Sequence, residues 1–142
     1  MLTWKVYGLT VVLLFLKIFA LVLVQGINRF KYKTFANPED AAYFGKDATV
    51  AQDVEIVERA QKTLRNDGEN IPIFLFLAAA YIQLGCWEKG VLLYFPLFVL
   101  SRIVHTLAYL RPTQPLRNRA YLLGIVVMFA VCGHIVWAAL LV

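Results

Sequence analysis

The stretch VERAQKTLRNDGENIPIFLFL, Val57 to Leu77, decides the fold. It begins as a charged run with helical spacing and ends as an apolar run suited to a lipid interior. Arg65, Asn66, Asp67, Glu69 and Asn70 stand directly against the apolar part. Nothing obvious stops a helix across this junction, although Gly68 weakens it and Pro72 is placed to kink it. The stretch therefore predicts one long helix, part in water and part in membrane.

The surrounding composition supports a membrane setting. The chain has 142 residues, of which 61% are hydrophobic and only 16% charged. Its mean hydropathy is +0.67. Soluble domains average about 45–50% apolar and about 25% charged. The length allows one domain, 1–142. The net charge of +5 lies beside apolar segments, which points to anionic lipid headgroups or a small anionic ligand and away from nucleic acid. Cys86 and Cys132 are far apart and lack a second Cys or a His at metal-ligand spacing, so neither a metal nor a thiol nucleophile of the chain's own is expected.

Four apolar segments are candidate spans, at about 4–27, 71–87, 91–110 and 121–142. A span needs about 20 apolar residues. The second qualifies only with its polar beginning. The first is too long for a signal-peptide core and reads as a retained helix. The fold class is thus an all-α membrane protein, a four-transmembrane-helix bundle whose second helix extends into the cytoplasm. The non-membrane stretch is a loop and helix extension over about 28–70. "ANPED" and "FGKDAT" read as turn and cap material, and a helix is expected from Thr49 onward. Arg29, Lys31, Lys33, Lys46, Arg59, Lys62 and Arg65 follow the first span, and Arg111, Arg117 and Arg119 follow the third. This bias puts both connections on the cytoplasmic side.

Three polar sets border the apolar segments. Arg102, His105 and Tyr109 fall within about 60° of one another on a helix face. A buried Arg costs at least about 2.5 kcal/mol and usually faces a bundle interior. An internal ion pair, for example Arg102 with Glu69, explains Arg102 equally well, and His105 alone reads as a core histidine. Arg59, Lys62, Asn66 and Glu69 follow 3-4-3 spacing, with Arg65 and Glu69 at i, i+4. A solvated face of salt bridges competes with a binding face there, most of all for Arg59 and Lys62. Arg117 and Tyr121 form the third set, with Asn118 and Arg119 beside them; topology anchoring accounts for these basic residues as well as binding does. Together the sets would make a basic pocket for a ligand with several carboxylates and one amine, clamped by Arg and Lys with Glu69 taking the amine. One chain is too small to enclose such a ligand, so a subunit interface would supply further walls.

FANPED (Phe35–Asp40), the Val57–Leu77 stretch and RIVHTLAYL (Arg102–Leu110) resemble signatures of the MAPEG family, membrane-associated proteins of eicosanoid and glutathione metabolism. The branch they resemble is that of microsomal glutathione transferase and microsomal prostaglandin E synthase. The resemblance implies a homotrimer of four-helix subunits with glutathione at the subunit interfaces. By the same resemblance Arg29, Lys62, Arg65, Asn66, Glu69, His105, Tyr109, Arg117, Asn118 and Tyr121 would hold glutathione, and Arg117 would face its sulfur. Asp40 matches an acid proposed for the synthase reaction, so the implied catalytic residues are Arg117, Tyr121 and Asp40. Lys62 stands where the synthases carry an arginine and Asn118 where they carry a serine, which argues against prostaglandin specificity while leaving glutathione binding intact.

The chemistry required is thiol activation. Lowering a thiol pKa from roughly 8.5 by two units takes about 2.7 kcal/mol. A guanidinium about 4 Å away at an effective dielectric of about 20 supplies ~4 kcal/mol before desolvation. The expected function is a glutathione-dependent transferase acting on a lipophilic electrophile, or reducing a lipid hydroperoxide. The alternatives are a prostaglandin E synthase-type isomerase and a non-catalytic scaffold binding lipid or partner. The host would be a bacterial inner membrane or the endoplasmic reticulum.

Overall fold

The computed structural model describes residues 1–44, 49–50 and 52–141. Among them are five helices and two short strands: α1 Leu2–Tyr32, β1 Thr34–Phe35, α2 Pro38–Phe44, β2 Thr49–Val50, α3 Glu55–Gln83, α4 Glu88–Leu110 and α5 Gln114–Leu141. Three of the helices, α1, α4 and α5, are long and apolar enough to cross a membrane. At 1.5 Å per residue, the 31 residues of α1 run about 46 Å, more than the ~30 Å hydrocarbon layer. The apolar part of α3 after Asn70 is Ile71–Gln83, shorter than a span needs by itself.

The Val57–Leu77 junction is helical throughout. Buried Val57, Ala60, Thr63, Asp67, Asn70, Phe74, Ala78 and Tyr81 recur every three or four residues along α3. This stripe passes Pro72 without a break. Pro72 removes one backbone donor and crowds the carbonyl four residues back, which belongs to Gly68. Side-chain packing of the stripe against α1, α4 and α5 holds the helix through that point.

Two expectations need correction. The helix does not begin at Thr49. Thr49 and Val50 pair in parallel with Thr34 and Phe35, and Val54 remains extended before α3 starts at Glu55. Two β-branched residues beside a free backbone edge favour that pairing over a frayed first turn. The turn expected in FGKDAT lies outside the described residues between its ends. The second span also stops earlier than residue 87: Gly85 takes a left-handed φ of 64°, and Tyr81 Oη donates to the Trp87 carbonyl at 2.9 Å to close the α3–α4 turn. The other helices extend beyond their expected bounds, because polar ends such as Asn28–Tyr32 and Gln114–Ala120 continue the helical hydrogen bonding.

The core is aromatic and aliphatic. Leu14, Ile71, Phe74, Tyr81, Val91, Phe95, Phe98, Val127 and Val131 form it. Phe74 and Phe98 stack with ring centroids 3.7 Å apart, and Phe95 meets Phe74 edge-on at 5.6 Å. This packing fixes α3 against α4 and sets the depth of the polar residues one and two turns away.

Candidate functional site: a charged seam inside the bundle

Asn66 and Asp67 are neighbours on α3, and two different helices take hold of them. Lys17 of α1 forms an ion pair with Asp67. Lys17 is 9% exposed and Asp67 is fully buried. On the other side, Arg102 of α4 donates from Nη1 to Asn66 Oδ1 at 3.1 Å. Arg102 is also fully buried. Its guanidinium lies 5.6 Å from the Phe98 ring and 5.7 Å from the Tyr121 ring, in cation–π range. Gly124 makes room for it, since a Cβ there would lie 2.8 Å from Nη2.

From Arg102 the seam runs outward through aromatic contacts. His105, one turn along α4, is 6.2 Å from Tyr121 and 5.7 Å from Tyr109. Arg117 covers the Tyr109 ring at 4.7 Å and donates to Gln114. Beyond Tyr109 opens a polar cleft of about 260 Å³ lined by Glu55, Glu58, Arg59, Lys62, Tyr109 and Arg117. Arg102 Nε and Nη2, His105 Nδ1 and Asp67 Oδ1 have no hydrogen-bond partner among the described residues. Buried polar atoms left in this state are costly and mark a place where a further polar group fits.

The structure brings Lys62, Asn66, His105, Tyr109, Arg117 and Tyr121 onto this seam and leaves other expected residues outside it. Arg65 and Glu69 pair with each other at 3.6 Å on the outer face of α3, their side chains 85% and 63% exposed. The Arg102–Glu69 ion pair considered from sequence does not form. Glu69 is two residues past Asp67, about 200° round the helix, so it points outward. Arg29 is engaged by Asp53, through bonds of 2.9 and 2.7 Å. These bonds, with a third from Gln61 to Asp53, hold the Asp53 carboxyl below the usual carboxylate range. Asp40 accepts from Asn37 at 3.1 Å at the start of α2. Asn118 is exposed beside Arg117. The helix-stabilising pairs considered for the Arg59 face are present: Arg59 with Glu55 and Lys62 with Glu58, the latter at 3.8 Å.

Sequence reasoning missed Lys17, Asp53 and Asp67 as structural partners. For Lys17 and Asp67 a signal existed. A lysine in the middle of an apolar helix needs a carboxylate, and Asp67 lies on the buried stripe with Thr63 and Asn70. A second cleft, apolar and about 460 Å³, lies between α1 and α4, with Leu13, Leu16, Val24, Ile103 and Leu107 in its walls and Lys17 at one side.

A bundle with three membrane-grade helices and charges paired in its interior is an integral membrane protein. The profile of the MAPEG family matches residues 7–137, and the chain belongs to that family. The resemblance carried by the three motifs is thereby confirmed. Among its relatives, prostaglandin E synthase of Equus caballus is 38% identical over 128 residues, which cover 89% of this chain and 83% of the horse protein. Prostaglandin E synthase of Homo sapiens is 35% identical over 128 residues, 89% of this chain and 84% of the human protein. Microsomal glutathione S-transferase 1 of Mus musculus is 43% identical over 101 residues, 68% of this chain and 65% of the mouse protein.

Proposed function

We propose that the chain is a glutathione-dependent membrane transferase that stabilises the glutathione thiolate for attack on lipophilic electrophiles. The observation that carries this reading is the cationic cleft bordered by Arg117 and Tyr109 and continued inward by His105. Its residues fit the tripeptide. Arg59, Lys62 and Arg117 offer donors for two carboxylates and a thiolate, Glu55 and Glu58 offer acceptors for an ammonium, and His105 Nδ1 lacks a partner. Glutathione would supply the sulfur nucleophile. Arg117, already stacked on Tyr109, would place its charge beside that sulfur, and Tyr121 would add a hydroxyl. The apolar cleft between α1 and α4 supports arrival of the second substrate from the bilayer.

The outward exposure of Arg65 and Glu69 supports a site completed by a second protomer, and we infer a homotrimer in which they and Arg29 reach glutathione at the subunit interfaces. In this reading Asn118 lies at the rim and Asp40 acts from the α2 turn. The basic connections before α3 and α5 favour a cytoplasmic site, in either a bacterial inner membrane or the endoplasmic reticulum. A second reading, a prostaglandin E synthase-type isomerase, draws on relatives of that name that align with 89% of the chain.

The test is activity of detergent-purified protein. Conjugation of a chlorodinitrobenzene-type electrophile, with or without hydroperoxide reduction, is the expected result. Endoperoxide isomerisation far faster than conjugation would favour the second reading. A folded oligomer that neither turns over these substrates nor is retained on immobilised glutathione would leave a lipid- or partner-binding scaffold.

A further inference from the structure

The polarity of the Asn66 amide is set by its neighbour. Arg carries donors only, so the group facing Arg102 Nη1 has to be Asn66 Oδ1. The reverse orientation would set an N–H against a buried cation. Asn66 therefore turns its Nδ2 hydrogens away from the guanidinium, and no acceptor among the described residues takes them.

Arg102 is held for this task from several sides. The Phe98 and Tyr121 rings flank the guanidinium, and the absence of a side chain at Gly124 leaves the space that Nη2 fills. The nearby hydroxyls do not compete, because Ser101 Oγ donates to the Phe98 carbonyl at 2.7 Å and Thr106 Oγ1 to the Arg102 carbonyl at 3.0 Å. The Lys17–Asp67 pair fixes the adjacent residue and so limits rotation of α3 about its axis.

We propose that Arg102 is a positioning residue that locks Asn66 as a hydrogen-bond donor, so that this point on α3 takes a carboxylate oxygen of the ligand and rejects its ammonium. The inference rests on the glutathione reading and adds to it an orientation: the ligand's ammonium binds elsewhere. A site built to donate discriminates against a ligand group that also only donates, because two donors are then left facing each other.

The test compares binding of glutathione with binding of two analogues, in each of which one carboxylate is replaced by an aminomethyl group that only donates. Wild-type protein should prefer glutathione to at least one of these analogues, and equal binding of all three overturns the inference. Asn66→Asp keeps an acceptor for Arg102 but turns a carboxylate toward the ligand. It should melt no lower than wild type, bind glutathione at least about 30-fold more weakly, and shift its preference toward that analogue. An Asn66→Asp protein that binds glutathione like a binding-competent wild type overturns the inference alone. A wild type that ignores glutathione overturns the functional reading and the inference with it. If Asn66→Asp does not fold, Arg102 variants decide. Arg102→Lys, still donor only, should retain the wild-type preference, and Arg102→Gln, which can donate or accept, should relax it at least about fivefold. Equal preference in the two variants overturns the proposal.

Discussion

Lys17 and Asp67 meet in the interior of the bundle, joining the middle of α1 to the point where α3 changes from a polar to an apolar helix. Removing one partner leaves the other buried and unpaired, which costs about 3–5 kcal/mol, whereas an apolar pair of similar volume is often neutral. Lys17→Met should therefore lower the melting temperature sharply in detergent, and Lys17→Met with Asp67→Leu should regain most of the loss. If each single variant melts with the wild type, the pair does not hold the helices.

The Arg29–Asp53 pair ties the end of α1 to the segment leading into α3. Because bonding to Arg29 lowers the Asp53 pKa, the pair's stabilisation is present above the unfolded value, about 3.9, and disappears as pH falls through the lower folded value. Asp53→Asn should cost about 1 kcal/mol at neutral pH and should flatten the stability curve between roughly pH 5 and its acid end. The measurement is a thermal melt as a function of pH; identical acid limbs for wild type and variant would refute the linkage.

If Arg117 supplies the charge that stabilises the thiolate, Arg117→Ala should still be retained on immobilised glutathione. The acid dissociation constant of the bound thiol, read from the ultraviolet absorbance of the complex as a function of pH, should fall about 100-fold, which corresponds to about 2.7 kcal/mol and lowers the thiolate fraction at pH 7 roughly 25-fold. Undiminished thiolate absorbance in the variant would remove Arg117 from that role.

Gly85 occupies the left-handed region at φ 64° with open space around its Cα. Gly85→Ala should destabilise by about 1 kcal/mol through backbone strain alone, and Gly85→Asn by less. A melt showing no difference between alanine and glycine would mean that the α3–α4 turn relaxes without that conformation.

The Phe74–Phe98 stack sits where α3 crosses α4. Phe74→Ala should cost about 3–5 kcal/mol and release α3 from α4, weakening glutathione binding through the displaced Asn66. A stable variant with unchanged binding would show that the polar seam keeps its geometry without this stack.

Much of the architecture was legible because it depends on local pattern. The apolar lengths of α1, α4 and α5 mark membrane helices, and the 3–4 spacing from Val57 to Tyr81 marks a continuous α3 through Pro72. Spacing also placed His105 and Tyr109 on one face with Arg102. The onset of α3 was not legible, because Thr49 and Val50 have acceptable helical spacing and their actual partner lies fifteen residues earlier in the chain. The candidate site was read in part. Spacing identified its cations but not which of them neutralise charges within the protein.

That last distinction separates the two levels of information. Composition, hydrophobic period and motif order by themselves determined a helical membrane protein of the MAPEG family with basic residues at the membrane face. Only the tertiary structure decided that Lys17 neutralises Asp67, that Arg29 is engaged by Asp53, that Arg102 takes an amide where a carboxylate was considered, and that Arg65 and Glu69 face outward. Helical periodicity gives each side chain a direction on its own helix. An ion pair depends on the distance between helices, and packing of the aromatic core sets that distance.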